Sequence, residues 1–529
     1  MTQEDNTLFF AGHFSILREK INHTSEWKIL SCLVLFFAVW RLIALEFIEK
    51  SGDSVWKWSF LRYFHETGIW YPLFPDHHQG RWAQNLPVLG LMKIFGAHPW
   101  VYYILPLVTA FGVSLLCYWI ARQLGDRFAG VLAFLLPMFF VHTVNESNQL
   151  LPLLPAAFWL LAAVALCFRY FSSGKHLWLF FVAGIFLGFS WGCKVTAAYW
   201  CVAIGLFLLF SNLPGKNLFR VWKIRVGWDV ILLTLGFFSI FIPETVLLNH
   251  FFGVKAGRLS MLFTKHLGGP TSEEVLPSIL EYLFSFQLPF KPQGKGISFL
   301  PKMIFLTTGI PILVLWLKKN NGLIFHRFFA FIFFVAYLLH SYVIVGIDPI
   351  RYPERPLGRY FIILILFCMI ASAAGWQEFS GFLKSKIKNE KFYKVLVTML
   401  VILSILFLAG HPLNETIFHN NNISRIIKAE KRMKLVRKEN LPVLAVLKNP
   451  PEYFDQKDSD PKVSRLWVAF WGPIQLIPEF FDQTPLSLVH DKRGMAYNYL
   501  WGGRIPVAGE IRKCAIVSEL DIRIGELQF

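Results

Sequence analysis

Charge is what this sequence has least of. Only 16% of its 529 residues are Asp, Glu, Lys or Arg against 55% hydrophobic, and the acids are the scarcer half, 34 against 52 basic residues. A water-facing globular fold of this length would leave far too much apolar surface unburied, so that class is excluded and lipid must solvate much of the chain. Cysteine is sparse as well. Cys32, Cys117, Cys167, Cys193, Cys201, Cys368 and Cys514 form no CxxC pair and, apart from the last, lie in apolar stretches. That excludes a disulfide framework and a thiolate metal centre. There is no internal repeat and no low-complexity tract, which removes support for inverted-repeat transporter architecture. No small-residue cleavage site precedes the first apolar run, so residues 1–28 read as an uncleaved cytoplasmic segment.

What is there is long apolar runs. They fall at 29–48, 101–121, 128–143, 149–168, 177–193, 195–211, 228–249, 303–317, 328–346, 360–376 and 395–410, predicting an α-helical polytopic membrane protein of about eleven transmembrane helices. The 177–211 pair could be one broken unit, because Gly188, Gly192 and Lys194 interrupt it. With the N-terminus inside, the inner loops carry Arg122 and Arg127; Arg169 and Lys175; Lys216, Arg220, Lys223 and Arg225; Lys318, Lys319 and Arg327; and Lys384, Lys386, Lys388, Lys391 and Lys394. Every inner loop is basic, as the positive-inside rule asks, and the outer loop His142 to Asn148 has no Lys or Arg. The net charge of +18 is therefore a matter of topology and does not point to nucleic acid.

Residues 29–410 form the expected membrane domain, with large outer loops at 49–100 and 250–302. Some outer cations break the rule: Lys255, Arg258, Lys265, Lys291, Lys295, Arg351, Arg355 and Arg359. Long loops translocate whatever their charge, which is one reading; a site for an anionic headgroup is the other. In the first loop Trp56, Phe60, Tyr63 and Phe64 recur at helical spacing, predicting an amphipathic helix on the membrane surface with Asp53 at its start. A carboxylate at headgroup depth can act as a base, or it can simply cap the helix. Farther on, Asp76-His77-His78-Gln79-Gly80-Arg81 gathers an acid, two imidazoles and a guanidinium. Arg81 suits a phosphate. No cofactor is called for and no metal ligands are assigned, though a divalent metal is left open by the adjacent imidazoles.

Taken in order, these features resemble the C superfamily of lipid-phosphate-sugar-dependent glycosyltransferases, in particular the branch of protein O-mannosyltransferases and the bacterial aminoarabinose transferase of lipid A. The resemblance covers about residues 30–375. It is carried by Asp53 directly after the first run, the following surface helix, Gly80-Arg81-Trp82, and Leu86-Pro87 before Phe95-Gly96. Then come the break through Arg122 to Arg127, the glycine-rich stretch Gly184 to Lys194, and Glu354-Arg355-Pro356-Leu357-Gly358-Arg359-Tyr360 leading into a late run. It implies that Asp53 is the catalytic carboxylate and that Arg81, Lys194, Arg355 and Arg359 bind the donor phosphate. Two departures stand out. Ser54 follows Asp53 where the family commonly has Glu or Gly, and Gln149 stands where a second Asp is common, with Glu146 near enough to substitute. Glu146, Gln149, His77 and His78 are accordingly candidates for acceptor or auxiliary roles.

Past Gly410 the composition turns polar, with short alternating runs at 465–471, 486–489 and 514–517, predicting a small extracytoplasmic α/β domain over 411–529. The expected activity is transfer of a sugar, with inversion, from a polyprenyl-phosphate donor to an acceptor outside the membrane (a protein, lipid or cell-envelope glycan). The expected location is a bacterial inner membrane with the site facing the periplasm or cell exterior. A transporter or flippase of a lipid-linked glycan is the alternative, and a non-catalytic carrier of the same fold is a third.

Overall fold

The computed structural model describes residues 16–45, 53–68, 80–98, 100–211, 227–252, 299–318, 324–342, 346–347, 350–351 and 362–386. In the C-terminal part it describes 438–446, 488–490, 496–501, 507–518 and 521–529, with a few isolated positions between. Helices run in the order 16–23 (α1), Glu26–Ile43 (α2), Asp53–Thr67 (α3), Trp82–Phe95 (α4), Val101–Leu124 (α5), Arg127–Phe139 (α6), Val141–Asn148 (α7) and Leu153–Ser173 (α8). Trp178–Cys193 (α9), Ala197–Ser211 (α10), Trp228–Phe252 (α11), Phe299–Lys318 (α12), Ile324–Tyr342 (α13) and Ile362–Lys386 (α14) complete them.

Helices occupy ten of the eleven expected apolar ranges; the eleventh, 395–410, lies outside the described residues. Among the described helices three are long and apolar enough to cross a membrane: Val101–Leu124, Leu153–Ser173 and Trp228–His250. A bent pair, Arg127–Phe139 with His142–Asn148, makes a fourth if taken as one span. Several others are apolar but short, such as Trp178–Cys193 and Ala197–Phe210. At 1.5 Å per residue, 16 residues reach only about 24 Å. The 177–211 stretch is two helices: the chain is extended at Lys194, and α9 packs on α8 and α11 whereas α10 packs on α13. His142 to Asn148, expected as an outer loop, is the helix α7.

Two kinds of all-round apolar helix are present, and burial tells them apart. In α14, Ile362 through Ala371 are each at most 3% exposed, so this helix is the centre of the bundle, with Phe367 against Trp200 at 4.3 Å and Phe329 at 4.5 Å. In α11 the large side chains Leu235, Phe238, Ile242, Val246 and Leu247 are exposed, a surface suited to acyl chains. Helix α2 shows both faces: Ile29, Leu33, Phe37 and Trp40 are buried, and Leu35, Val39 and Leu42 face outward. Gly184 and Gly236 let α9 and α11 meet backbone to backbone. A Cβ at Gly184 would lie 2.1 Å from the Leu233 carbonyl oxygen, and one at Gly236 2.0 Å from that of Phe181.

The C-terminal strands Val443–Val446 (β3), Leu488–His490 (β4), Ala496–Trp501 (β5), Ile511–Ser518 (β6) and Asp521–Gln528 (β7) form one sheet in the order β4-β5-β3-β6-β7. Only β3 and β6 are parallel neighbours. A two-residue ladder between Gly346–Ile347 (β1) and Ile350–Arg351 (β2) stands apart from it. Two of the three alternating runs fall in strands, and the third, 465–471, lies outside the described residues. Burial pushes the Cys514 thiol up to about 11.

The N-terminus is fastened to the turn between α5 and α6. Asp126 caps α6 by accepting from the Ala129 amide at 2.8 Å, and its other oxygen accepts from Arg18 Nε at 2.7 Å and Asn22 Nδ2 at 3.1 Å. Arg127 donates to the Asn22 and Thr24 carbonyls, both at 2.9 Å, and Arg122 pairs with Glu26. Burial raises the Asp126 carboxyl, but the Ala129, Arg18 and Asn22 bonds outweigh it and leave the group below its ordinary range. Because the folded value is depressed, the stability it contributes is full above the unfolded carboxylate range, about pH 4, and is lost as pH falls through the folded value. Asp126→Ala is therefore expected to cost about 1–2 kcal/mol and to raise hydrogen exchange across 16–24 at neutral pH. In the wild type the same loss should develop only below about pH 4; equal protection in mutant and wild type at pH 7 would refute the fastening.

Candidate functional site

At the opposite end of α2 from Glu26 the polar side chains collect. Helix α7 reads Val141-His142-Thr143-Val144-Asn145-Glu146-Ser147-Asn148, and Thr143, Glu146, Ser147 and Asn148 are all buried. It is bent by 68° from α6 after Phe140, whose backbone is extended. Two bonds stitch it to the end of α2. Arg41, 5% exposed in the last turn of α2, donates from Nη1 to Ser147 Oγ, and Asn148 Nδ2 donates to the Ala44 carbonyl at 2.9 Å. The Arg41 guanidinium also lies 5.4 Å from the Phe37 ring centre, a cation–π contact.

Asp53 is the first residue of α3. The buried stripe of this helix is Ser54, Lys57, Trp58 and Leu61, the i, i+3, i+4, i+7 set, joined by Phe60. Of the expected apolar face, Phe60 is buried and Phe64 is half-buried, and Trp58, Phe60 and Leu61 pack against Val88, Met92 and Tyr102. Trp58 meets the Tyr102 ring edge-on at 5.7 Å, and Tyr102 Oη accepts from the Leu150 amide at 3.0 Å. Lys57, wholly buried, donates to the Leu150 carbonyl at 3.2 Å and to Gln84 Oε1 at 3.5 Å.

Arg81, 3% exposed, stands at the N-terminus of α4, where its carbonyl accepts the Gln84 and Asn85 amides. The start of α4 is held against the end of α9. A Cβ at Gly192 would lie 2.8 Å from Ala83 Cβ and 2.9 Å from ring atoms of Trp82, and Trp82 meets Phe189 at 5.7 Å. Lys194, half-buried, is the residue at which α9 ends, and it lies within electrostatic range of His340 on α13. Ser190 ties the same end of α9 to α8 through the Ala156 carbonyl at 2.8 Å.

The structure thus gathers Arg81 and Lys194 at one terminus of α9, and Glu146 and Gln149 on and just after α7; Gln149 is partly exposed. His77, His78, Arg355 and Arg359 lie outside the described residues, and of Asp53 only the backbone is described. Among the described residues no group of three His, Cys, Asp or Glu could hold a metal ion. The sequence reading missed Arg41, Lys57 and Gln84. Lys57, between two tryptophans, reads as an interfacial lysine, and its burial shows only in the packing of α3. Arg41 sat inside an apolar run and was passed over as part of it.

Residues 84–243 match the family model for dolichyl-phosphate-mannose-protein mannosyltransferases. ArnT from Cupriavidus metallidurans, solved bound to undecaprenyl phosphate, superposes with a TM-score of 0.53 at 11% identity, over 91% of this chain and all of ArnT. The oligosaccharyltransferase of Archaeoglobus fulgidus in its apo form matches at TM-score 0.43 and 12% identity over 74% of this chain. The chain spans 56% of the archaeal protein's length. No curated protein matches in sequence. The likeness to C-superfamily glycosyltransferases is thus found in both sequence and fold: the family model matches the stretch from α4 to α11, and the fold is shared with ArnT.

Docking of α4 on α9 can be tested by the sign of a substitution. Gly205 in α10 has nothing within 4 Å of an added Cβ, so Gly205→Ala is expected to be neutral or stabilising by up to about 1 kcal/mol. Gly192→Ala, whose methyl meets Ala83 and Trp82, is expected to destabilise by about 1–3 kcal/mol. Thermal unfolding in detergent reads both, and equal shifts would refute the close approach.

Proposed function

We propose that the chain is an inverting glycosyltransferase that moves a sugar from a polyprenyl-phosphate donor to an acceptor outside the membrane. The observation that carries the reading is the placement of Arg81 and Lys194 near one helix terminus, Lys194 inside the stretch that matches the mannosyltransferase family model and Arg81 three residues before it begins. The shared fold with ArnT, which was solved with undecaprenyl phosphate, supports a polyprenyl-phosphate lipid as the partner.

In this reading the acceptor hydroxyl or amine attacks the anomeric carbon from the face opposite the phosphate, and Asp53 takes its proton as the new bond forms. The bond from the anomeric carbon to the phosphate oxygen breaks, and its electron pair leaves with the lipid phosphate. Cations answer that charge: Arg81 and Lys194, with Arg355 and Arg359 completing the set. One displacement inverts the configuration. Arg81 suits a phosphate oxygen pair, since a guanidinium presents parallel donors. Glu146 and Gln149 lie toward the acceptor, and residues 411–529 form a domain on the same side of the membrane.

Reconstituted protein with labelled undecaprenyl- or dolichyl-phosphate sugars tests the chemistry. Transfer should occur with one of them, and Asp53→Asn should lower it by about 100-fold or more at unchanged donor binding. Transfer that survives the substitution removes Asp53 from the mechanism, and glycan translocation without turnover replaces the enzyme with a transporter. The sidedness is tested separately. Single cysteines placed near residue 10 and near residue 505 should label with an impermeant maleimide from opposite sides of the membrane; labelling from one side would overturn the topology.

A further inference from the structure

Lys57 belongs to no part of the chemistry above, yet it is the most completely buried cation near the site. Its side chain is 0% exposed. Taking an ammonium out of water is costly, and a Met or Leu of similar length would fill the same space without that cost. What Lys57 does with its position is specific. Its Nζ donates to the Leu150 carbonyl across 93 residues of sequence and to Gln84 Oε1 across 27. Three segments therefore meet at one nitrogen: α3, which begins at Asp53; α4, which begins just after Arg81; and the turn that follows α7 and Glu146. Leu150 is itself fixed from the other side by Tyr102 Oη, and Tyr102 packs on Trp58, the neighbour of Lys57. Asp53 and Lys57 are four residues apart, so they share one stripe of α3 a single turn apart.

We propose that Lys57 is a positioning residue: it sets the distance and the rotation of the Asp53 end of α3 relative to Arg81 on α4 and to the α7–α8 turn. This rests on the glycosyltransferase reading. A carboxylate acting as base at the anomeric centre must be held to within a fraction of an ångström, and Asp53 is the first residue of α3, so its placement depends on how that helix is docked. The amine supplies the restraint by bonding to a main-chain carbonyl, which cannot rotate away, and to an amide on the helix behind Arg81. Donor affinity, carried by the phosphate cations, should not depend on it.

The test measures kcat and donor KM per folded molecule in vesicles containing the full chain, with the polyprenyl-phosphate sugar that the wild type uses. Lys57→Met is expected to lower kcat about 100-fold while donor KM moves by less than about threefold. Lys57→Arg, which keeps two donors, should recover a large part of kcat. Thr308→Val, which removes a buried hydroxyl bonded to Ser372 elsewhere in the bundle, serves as the stability control and should leave kcat intact at a comparable loss of Tm. If Lys57→Met does not fold, Gln84→Leu, which removes one acceptor, should show the same fall in kcat at constant KM to a smaller degree. Unchanged kcat in Lys57→Met, a rise in KM alone, or an equal fall in Thr308→Val each overturns the positioning role while the glycosyltransferase reading stands. A wild type with no turnover on any donor overturns that reading and the role of Lys57 with it.

Discussion

Hydrocarbon offers no hydrogen-bond partner, and this one constraint orders the rest of the molecule. Backbone groups must be satisfied inside helices, and any polar side chain within the bundle must find a protein partner or sit at an end. The observed contacts follow. Deep in the bundle, hydroxyls bond to one another or to carbonyls, as in Thr308 with Ser372, Thr109 with Leu105, and Ser190 with Ala156. Ionic groups are pushed to the two ends. One end uses them to fasten α1 and α2 to the α5–α6 turn; the other gathers Arg41, Lys57, Arg81, Lys194 and Glu146 around α7 and the end of α9.

The same constraint removes the usual reason for apolar helices to associate, since lipid is as apolar as leucine, and close packing has to supply it. Helix α9 does this with glycines one turn apart. Gly184 admits the α11 backbone, Gly188 the Ile240 side chain, and Gly192 the Trp82 and Ala83 pair that opens α4. A single stripe thus serves lipid-depth packing at one level and placement of Arg81 at the next. Extended backbone at Lys194 then ends the helix beside that contact.

Hydropathy alone located ten helices and suggested their order, because an apolar run of fifteen or more residues leaves few structural choices. Alternation of basic loops suggested which ends belong together. What could not be read was burial of charge. Lys57 in Trp56-Lys57-Trp58 looks like an interfacial lysine, and only the packing of α3 against Val88, Met92 and Tyr102 shows that the buried stripe is rotated to include it. Glu146 reads as a polar residue near Gln149, in a segment that looks like a loop. The strong bend after Phe140 leaves no periodicity that a sequence window would detect, so an eight-residue, mostly polar helix reads as a connection. Arg81 and Lys194 were legible as cations from the motif order; that they attend the same helix terminus was not, because Gly192 makes the contact without any side chain of its own.

Irregular backbone at membrane depth is tolerated where protein or water covers it, not where lipid does. Among the described helices the chain bends sharply between α6 and α7, and its helical backbone is interrupted at Lys194 between α9 and α10. Both fall at the end of the bundle where the buried cations are, and both are closed by polar groups from neighbours: Arg41 and Asn148 bind α7 to α2, and Ser190 binds α9 to α8. The breaks therefore mark where the protein keeps its own polar interior apart from lipid. They select the same end of the molecule as Asp53 and Arg81.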